Sequence, residues 1–451
     1  MSTDVVLVYP YFNEEKDKSI FRYPPLGIGY LAAVLQRAGI KVKVLDCTFS
    51  TPERTALTIR ALRPKILGIY SMVTINHHTR WLAQELQNEV ELLVAGGPLP
   101  TLVPDTFLDL FDVVVTSEGE YTFLELVQAH LDGRPWDKIL GIAYATQTGR
   151  IQINDRRQLE QDLNRLPLPA REMFPNQAYK EYWKRYHGYT ATNLISSRGC
   201  PYNCDFCSSP IFGRSYRERS ADSVCAEMVE IESLGYERAF FSDDCFTLNP
   251  KRVRQVCESL VKENLDLKWM CLSRVDTLSR DMARIMAKAG CVQVFFGIES
   301  GSQRVLRIMN KRINLDSVRN AIAASHSAGI ETGGFFILGY PGETNGSLLE
   351  TLRFSSRLSL DYLSYSFPYP IIGTGLYEKV ADVINQPEWI KQKGHASRHQ
   401  LLFEGGFSEG KLHFASAKGL IQHFLRKRGQ MGESTAEVFE RITDALLPRL
   451  R

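Results

Sequence analysis

The sequence predicts an α/β protein of two unlike units in series: a doubly wound, Rossmann-like domain, then a partial (β/α)6 barrel of TIM type, closed by a small helical C-terminal region. Three observations carry this. Strand-like and helix-like segments alternate in two separate runs, the second run starts afresh near Thr192, and 451 residues exceed what one core usually serves. The expected boundaries are 1–138 for the first domain, 139–190 for a hairpin and linker, 191–370 for the barrel and 371–451 for the helical remainder.

In the first run, "DVVLVYP" (4–10), "KVKVLDC" (41–47), "KILGIYS" (65–71), "ELLVAGG" (91–97) and "DVVVTSE" (112–118) are short β-branched stretches and read as strands. Amphipathic stretches such as "LGIGYLAAVLQRAG", "ERTALTIRALR", "HTRWLAQELQ" and "EYTFLELVQAHL" read as helices between or after them. Strands joined by helical crossovers make a parallel sheet covered on both faces. Ligands of such sheets lie beyond the carboxyl ends of the strands. The loops to watch are therefore "YPYFNEE", "YSMVTINHH", "AGGPLP" and "TSEGE", whose small residues let a bulky ligand approach the backbone.

Residues 139–155 read as a hairpin turning at Gly149, and "RLPLPAREMFPNQAYKEYWKRY" as a proline-punctuated linker. The second run has strands at 192–197, 238–244, 268–274, 292–299, 332–341 and 361–370, with helices such as "RDMARIMAKAG" between them. Six βα units are too few for a closed eight-stranded barrel, so a partial barrel is the economical reading, with its site at the carboxyl ends of the strands. After residue 371 the pattern loosens into charged helical segments.

Composition narrows the function classes. A chain that is 44% apolar and 23% charged, with a net charge of +3, is an ordinary globular protein. Its near-balanced charge gives no case for nucleic acid, and the basic cluster "FLRKR" reads as a solvated helix face. No stretch approaches the ~18 apolar residues of a membrane span, and the N-terminus lacks a basic export signal, so the expected location is the cytoplasm. Nine cysteines, an odd number, argue for reduced thiols or metal ligands over a disulfide framework.

Three of those cysteines stand apart. "RGCPYNCDFC" places Cys200, Cys204 and Cys207 at C-x3-C-x2-C directly after the strand "TNLISS", at the barrel mouth. A zinc site would want a second Cys or His pair nearby, and none follows. Three thiolates on one loop match a cubic iron–sulfur cluster with one iron left open. Packing as three small buried apolar side chains fits poorly with Gly199, Pro201 and Asn203, which shape a loop. The other six cysteines sit singly on strands or helices and read as core.

On these residues the chain resembles the radical S-adenosylmethionine (SAM) enzymes. The resemblance implies a 4Fe–4S cluster on Cys200, Cys204 and Cys207, with SAM chelated to the fourth iron and cleaved on reduction to a 5′-deoxyadenosyl radical. The hard chemistry then belongs to the cofactors, and the protein supplies position and exclusion of solvent. "FFSDD" makes Ser242, Asp243 and Asp244 candidates for the methionine ammonium, a charge-assisted contact. Arg274, in "CLSRVD", would meet the methionine carboxylate. "FFGIESGSQRVLRIMNK" resembles the family's fourth-strand motif and puts Glu299 and Ser300 near the ribose and adenosine. "ILGYPGET" resembles the fifth-strand motif and gives Leu338, Gly339 and Pro341 on the adenine side.

The upstream domain is similar to that of the cobalamin-binding subclass, through "YPPLGIGYLAAVLQRAG", "AGGPLPT", "SEGEYTF" and "LPLPAREMFP", so the resemblance spans about residues 4 to 380. It implies cobalamin as a further cofactor, with Tyr11, Ser71, Gly96, Gly97, Glu118 and Gly119 as contacts. The Asp-x-His-x-x-Gly loop of some cobalamin proteins is missing: no histidine precedes His77, so any bound cobalamin should lack a histidine from the first loop. His77 and His78 read as surface residues at a helix start.

The subclass implies a methyltransferase acting on an unactivated carbon, or on phosphorus, by way of the 5′-deoxyadenosyl radical and methylcobalamin, with two SAM used per product. Its expected partners are a small-molecule or lipid-like substrate and a reducing electron donor of flavodoxin or ferredoxin type. Phe295, Phe296, Phe335, Phe336 and Tyr340 would suit an apolar or planar substrate. The alternative within the subclass is an anaerobic oxidative cyclase or ring-rearrangement enzyme without net methylation. An alternative from another class is a metal-binding scaffold, in which Tyr365, Phe367 and Tyr369 only pack.

Overall fold

The computed structural model describes residues 3–12, 21–208, 213–384 and 401–450. Residues 13–20 of the first strand's loop, and 385–400 at the start of a histidine-bearing stretch, lie outside the described residues. Within them the chain divides into two compact units, one holding 3–194 with Arg217–Arg219, the other 195–216, 220–384 and 401–450.

The first unit is built on a seven-stranded sheet: β1 (Val5–Tyr9), β2 (Val42–Asp46), β3 (Ile66–Tyr70), β4 (Leu92–Gly96), β5 (Val113–Val115), β6 (Ile142–Ala145) and β7 (Ile151–Ile153), in the order β2-β1-β3-β4-β5-β6-β7. The first five are parallel in the flavodoxin-like order 2-1-3-4-5. Val5, Val6, Leu7 and Val8 are all at most 2% exposed. That unbroken apolar run is what a strand covered on both faces requires. The covers are α1 (Leu26–Arg37), α2 (Pro52–Leu62), α3 (Asn76–Leu86), α4 (Pro98–Leu102) and α5 (Glu120–Leu131).

The hairpin turns at Gly149, whose φ is +77°, and its strands extend this first sheet antiparallel to β5. Downstream, the stretch read as a linker contains a full helix, α6 (Asn176–His187), ended by Gly188 in the left-handed region. The prolines at 167, 169 and 175 suggested a linker, but beyond Pro175 the pattern turns helical: Tyr179, Tyr182 and Trp183 recur at i, i+3 and i+4 and are buried. Tyr179 donates its hydroxyl to Asp46 Oδ2 at 2.6 Å, pinning the helix to the end of β2.

The second sheet is six-stranded: β8 (Ala191–Leu194), β11 (Arg238–Phe241), β12 (Lys268–Ser273), β13 (Cys291–Glu299), β14 (Glu331–Ile337) and β15 (Tyr362–Ser366), in sequential order across the sheet. A separate short ribbon pairs β9 (Ser197–Arg198) with β10 (Arg217–Glu218). The second unit's helices are α7 (Ala221–Ser233), α8 (Pro250–Glu263), α9 (Arg280–Lys288), α10 (Gln303–Ile308), α11 (Leu315–Ser327), α12 (Asn345–Arg357) and α13 (Gly375–Val380), with α14 (Glu409–Arg426) and α15 (Gln430–Leu446) ending the chain. Their starts are written in the sequence: Asn249 caps α8 ahead of Pro250, and Thr344 with Ser347 forms a capping box on α12. All parallel pairs from β11 to β15 run in one direction, so every βα loop falls at one edge.

Candidate active site

The loop that bears Cys200, Cys204 and Cys207 is held from many sides. Gly199 has φ +82°, and a Cβ there would fall on the Ser215 carbonyl oxygen, so only glycine brings the chain into the loop. The backbone N–H of Asp205 donates to Met309 O at 2.9 Å, that of Leu376 donates to Asp205 O at 2.9 Å, and Asn310 Nδ2 donates to Asn203 O at 2.6 Å. The Asp205 carboxylate accepts the Tyr340 hydroxyl at 2.7 Å and pairs with Lys379. None of these anchors was legible in the sequence, because each is more than 100 positions from the loop residue it holds.

Arg274, expected at the methionine carboxylate, lies along this loop. Its guanidinium carbon sits 3.6 Å from the centre of the Tyr202 ring, and Nη1 is 3.8 Å from Cys204 Sγ. The other donors go to Asp276 and to Lys311 O at 3.0 Å. Burial works against the charged guanidinium, and the Asp276 carboxylate outweighs it.

Glu299 ends β13 with φ +68°, buried against the equally buried Lys311 at 2.8 Å. Burial alone would lower the Lys311 ammonium, but the Glu299 carboxylate raises it, so the charged pair is kept. Gly297 makes room for it: a Cβ there would stand 2.5 Å from Glu299 Oε1 and 3.0 Å from Lys311 Nζ. Ser300 is fully buried, its hydroxyl 2.9 Å from that of Thr351.

Of the "SDD" candidates, Asp243 points inward. It is fully buried and accepts from Ser196 N at 2.7 Å, Ser196 Oγ at 2.5 Å and Ser197 Oγ at 2.7 Å, tying the end of β11 to the strand end that leads into the cysteine loop. Asp244 is exposed by surface area. Crowding by the surrounding protein, together with Asp243 beside it, still raises its carboxyl, while the Gly199 N–H holds it back. Ser242 is half-buried between strand and loop.

After β14, Leu338 is buried and donates its N–H to Ser366 O at 2.9 Å. Gly339 has φ +86° and donates to Glu343 Oε2 at 2.7 Å, and Pro341 is half-exposed. Glu343 was missed by sequence reasoning: burial pushes its carboxyl up to about 7, and its Oε1 has no partner among the described residues. The aromatic residues of these strands pack chiefly on one another, with Phe295 stacked on Phe335 at 5.7 Å and Phe336 tilted against Tyr365 at 5.8 Å.

The first unit brings its candidates to the carboxyl edge of its sheet. Tyr11 stacks on Tyr9 at 6.0 Å, and Tyr9 meets Tyr70 at 5.3 Å across the switch point between β1 and β3. Ser71 is buried and takes the Gly96 carbonyl at 2.8 Å through its backbone N–H. Gly97 has φ +109°, and a Cβ there would lie 2.6 Å from Ser71 O and 3.0 Å from the Tyr70 ring. Glu118 accepts both Arg217 nitrogens at 2.9 and 2.6 Å in a buried pair, and Gly119 opens α5. His77 and His78 are half-buried rather than surface residues: their rings are 3.8 Å apart, and His78 meets Phe12 edge-on at 4.8 Å.

Three thiols on one pinned loop fit a cubic cluster, whose cysteines sit at separate corners, better than a single ion, whose ligands must converge. Among the described residues, no three His, Cys, Asp or Glu side chains converge on one metal-ion position. Burial pushes the free Cys200 thiol up to about 11, and iron binding is what would make it a thiolate at neutral pH. Gly96 and Gly97, half-exposed at the end of β4, fit the close approach of a large ligand, whereas Gly339 is buried and packed against Leu412.

A flavodoxin-ordered ligand sheet followed by a six-stranded sheet with a three-cysteine loop defines a cofactor enzyme with two cofactor-bearing units. The comparisons agree. Residues 194–355 match the Radical SAM superfamily, and residues 17–127 match the B12 binding domain. An uncharacterized methyltransferase of Pyrococcus horikoshii is 34% identical over 79% of this chain and 78% of its own. The anaerobic magnesium-protoporphyrin IX monomethyl ester cyclase of Rubrivivax gelatinosus is 26% identical over 84% of this chain and 70% of its own. Among solved structures, the fold is shared with the radical SAM methyltransferase TsrM of Kitasatospora setae, described with cobalamin and a 4Fe–4S cluster bound (TM-score 0.71, 20% identity, 85% of this chain and 75% of that one). It is shared also with the cobalamin-dependent SAM radical enzyme OxsB, with aqua-cobalamin bound (TM-score 0.76, 17% identity, 99% and 72%). The chain belongs to the radical SAM superfamily, in the group that carries a B12 binding domain, and the scaffold reading falls with that membership. Among the described residues, no helix is long and apolar enough to cross a membrane.

Proposed function

We propose that this enzyme transfers a methyl group to an unactivated carbon or phosphorus centre of a small-molecule or lipid-like substrate, after abstraction of a hydrogen atom. The observation that carries the reading is the 34% identity, over 79% of the chain, to a relative named as a methyltransferase. When bound, the reduced cluster and SAM supply the abstracting radical, and cobalamin supplies the methyl group.

The chain's own residues hold and orient. Cys200, Cys204 and Cys207 carry the cluster, and an external flavodoxin or ferredoxin type donor reduces it. Ser242 and Asp244 receive the methionine ammonium, supported from below by Asp243 on Ser196 and Ser197. Arg274 and Lys311 position the cysteine loop, Arg274 through Tyr202 and Cys204. Glu299 meets the ribose and Pro341 the adenine, with the buried Ser300, Leu338 and Gly339 shaping the strand ends beneath them. Tyr11, Gly96, Gly97 and Gly119 face cobalamin, the buried Ser71 holds Gly96 from behind, and Glu118 steadies that rim through Arg217.

The second reading, an oxidative cyclase, rests on the 26% identity to the Rubrivivax gelatinosus enzyme. The two are separated by incubating reconstituted enzyme with SAM, reductant and added hydroxocobalamin. Methyl transfer gives S-adenosylhomocysteine that depends on cobalamin, together with 5′-deoxyadenosine and a product heavier by one methylene unit. 5′-Deoxyadenosine with no S-adenosylhomocysteine would exclude methyl transfer and support the cyclase.

A further inference from the structure

The last two helices bury an unusual share of polar side chains and expose large apolar ones. Lys418, Gln422 and His423 of α14 and Glu440 and Thr443 of α15 are buried. Inside, Lys418 pairs with Asp444 at 2.7 Å, and Glu440 receives Arg426 and Arg357, each at 2.9 Å. Leu412, Ala415 and Ala436 are buried as well, but several large apolar side chains are turned outward. Leu420, Ile421 and Phe424 on α14 are 42 to 56% exposed, and Met431, Val438 and Ile442 on α15 are 57 to 86% exposed. Of the seventeen exposed large apolar residues among those described, eight fall between 420 and 450, where a monomer surface would scatter them.

Their spacing is that of a helix seam. Met431, Thr435, Val438, Ile442 and Ala445 step by four, three, four and three along α15, and Ala417, Ile421 and Phe424 step by four and three along α14, with Arg428, just past its end, laid over the Phe424 ring. A 3.5-residue repeat keeps one stripe facing another helix. Charge selects which helix. The α14 stripe starts beside Glu409, whose side chain is 45% exposed despite its contact with His413, and ends beside the exposed Lys427 and Arg428. Two α14 helices laid antiparallel across a two-fold axis set each Glu409 beside the other's Lys427 and Arg428. An anionic lipid surface would attract the basic end and repel Glu409, Glu433 and Glu437, all exposed.

We propose that two copies of this chain associate through the outward faces of α14 and α15, with the α14 helices antiparallel. Sedimentation velocity of the full-length, cluster-loaded protein tests it, with charge-swapped variants that leave the apolar stripe intact. Wild type should sediment as a concentration-dependent dimer. Glu409→Lys alone, and Lys427→Glu with Arg428→Glu, should each weaken association about tenfold or more, and all three together should restore it. Ile421→Glu should give a monomer. A wild type that stays monomeric, a dimer indifferent to the reversals, or a monomer that binds phosphatidylserine vesicles would overturn the proposal.

Discussion

The two sheets use the same βα wiring, yet their functional rims are built by opposite means. The rim of the first sheet is made mainly of glycine backbone and aromatic faces, Gly96, Gly97, Tyr9, Tyr11 and Tyr70, with one ion pair, Glu118 on Arg217. The rim of the second is a lattice of charge, in which Arg274, Asp205, Lys379, Lys311, Glu299 and Asp243 all hold backbone or one another. A broad rigid ligand needs a smooth surface that the chain can approach closely. Three thiols that must meet the corners of one cluster need a loop with no freedom, and ionic contacts from distant strands remove it.

That contrast can be broken at the cysteines first. Replacing Cys200, Cys204 or Cys207 with Ala should abolish the cluster, read as loss of bound iron and of the cluster's visible absorption. The first unit should still take up hydroxocobalamin, read as its own visible bands. Loss of both together would contradict separately built rims.

Next in size is the buried pair. Lys311→Met leaves the Glu299 carboxylate buried without its partner and should cost about 3–5 kcal/mol in unfolding by denaturant. Glu299→Gln with Lys311→Met should recover much of that loss. Additive losses in the double variant would mean that the two residues do not act as a pair.

On the first sheet, Gly97→Ala forces a side chain into a left-handed conformation 2.6 Å from the Ser71 carbonyl oxygen. It should cost on the order of 2–3 kcal/mol and weaken cobalamin uptake while leaving iron content unchanged. Reduced iron content would count against this division of labour.

The narrowest effect concerns Glu343. Its carboxyl, ordinarily near 4.5, is raised to about 7 by burial, so the folded chain holds a proton there that the unfolded chain has released. Stability should therefore fall as pH rises from about 4.5 to about 7, by on the order of 2–3 kcal/mol. Denaturant curves at the two ends of that window should differ for wild type, and Glu343→Gln should remove this share of the difference.

Much of this plan is legible in the sequence, for physical reasons. Runs such as "VVLVY" and "VFFGIE" must be buried strands because both their faces are apolar, and the cysteine spacing alone marks the loop. α6 was masked by the prolines before it, although Tyr179, Tyr182 and Trp183 carry a helical period. Direction and partnership are harder to read. Strand periodicity places Asp243 and Arg274 at the right edge of the sheet, but it cannot reveal that one turns down onto Ser196 and the other sideways onto Tyr202. Lys311 and Asp205 look like ordinary surface charges until the strands assemble around them.

The central claim is that the cysteine loop carries a cluster with one iron open to SAM. Electron paramagnetic resonance of the anaerobically reconstituted, reduced protein, recorded without and with SAM, tests it most directly. The account predicts the signal of a reduced 4Fe–4S cluster that changes when SAM is added, in wild type and not in the Cys204→Ala variant. A full complement of cluster whose signal is indifferent to SAM would contradict it.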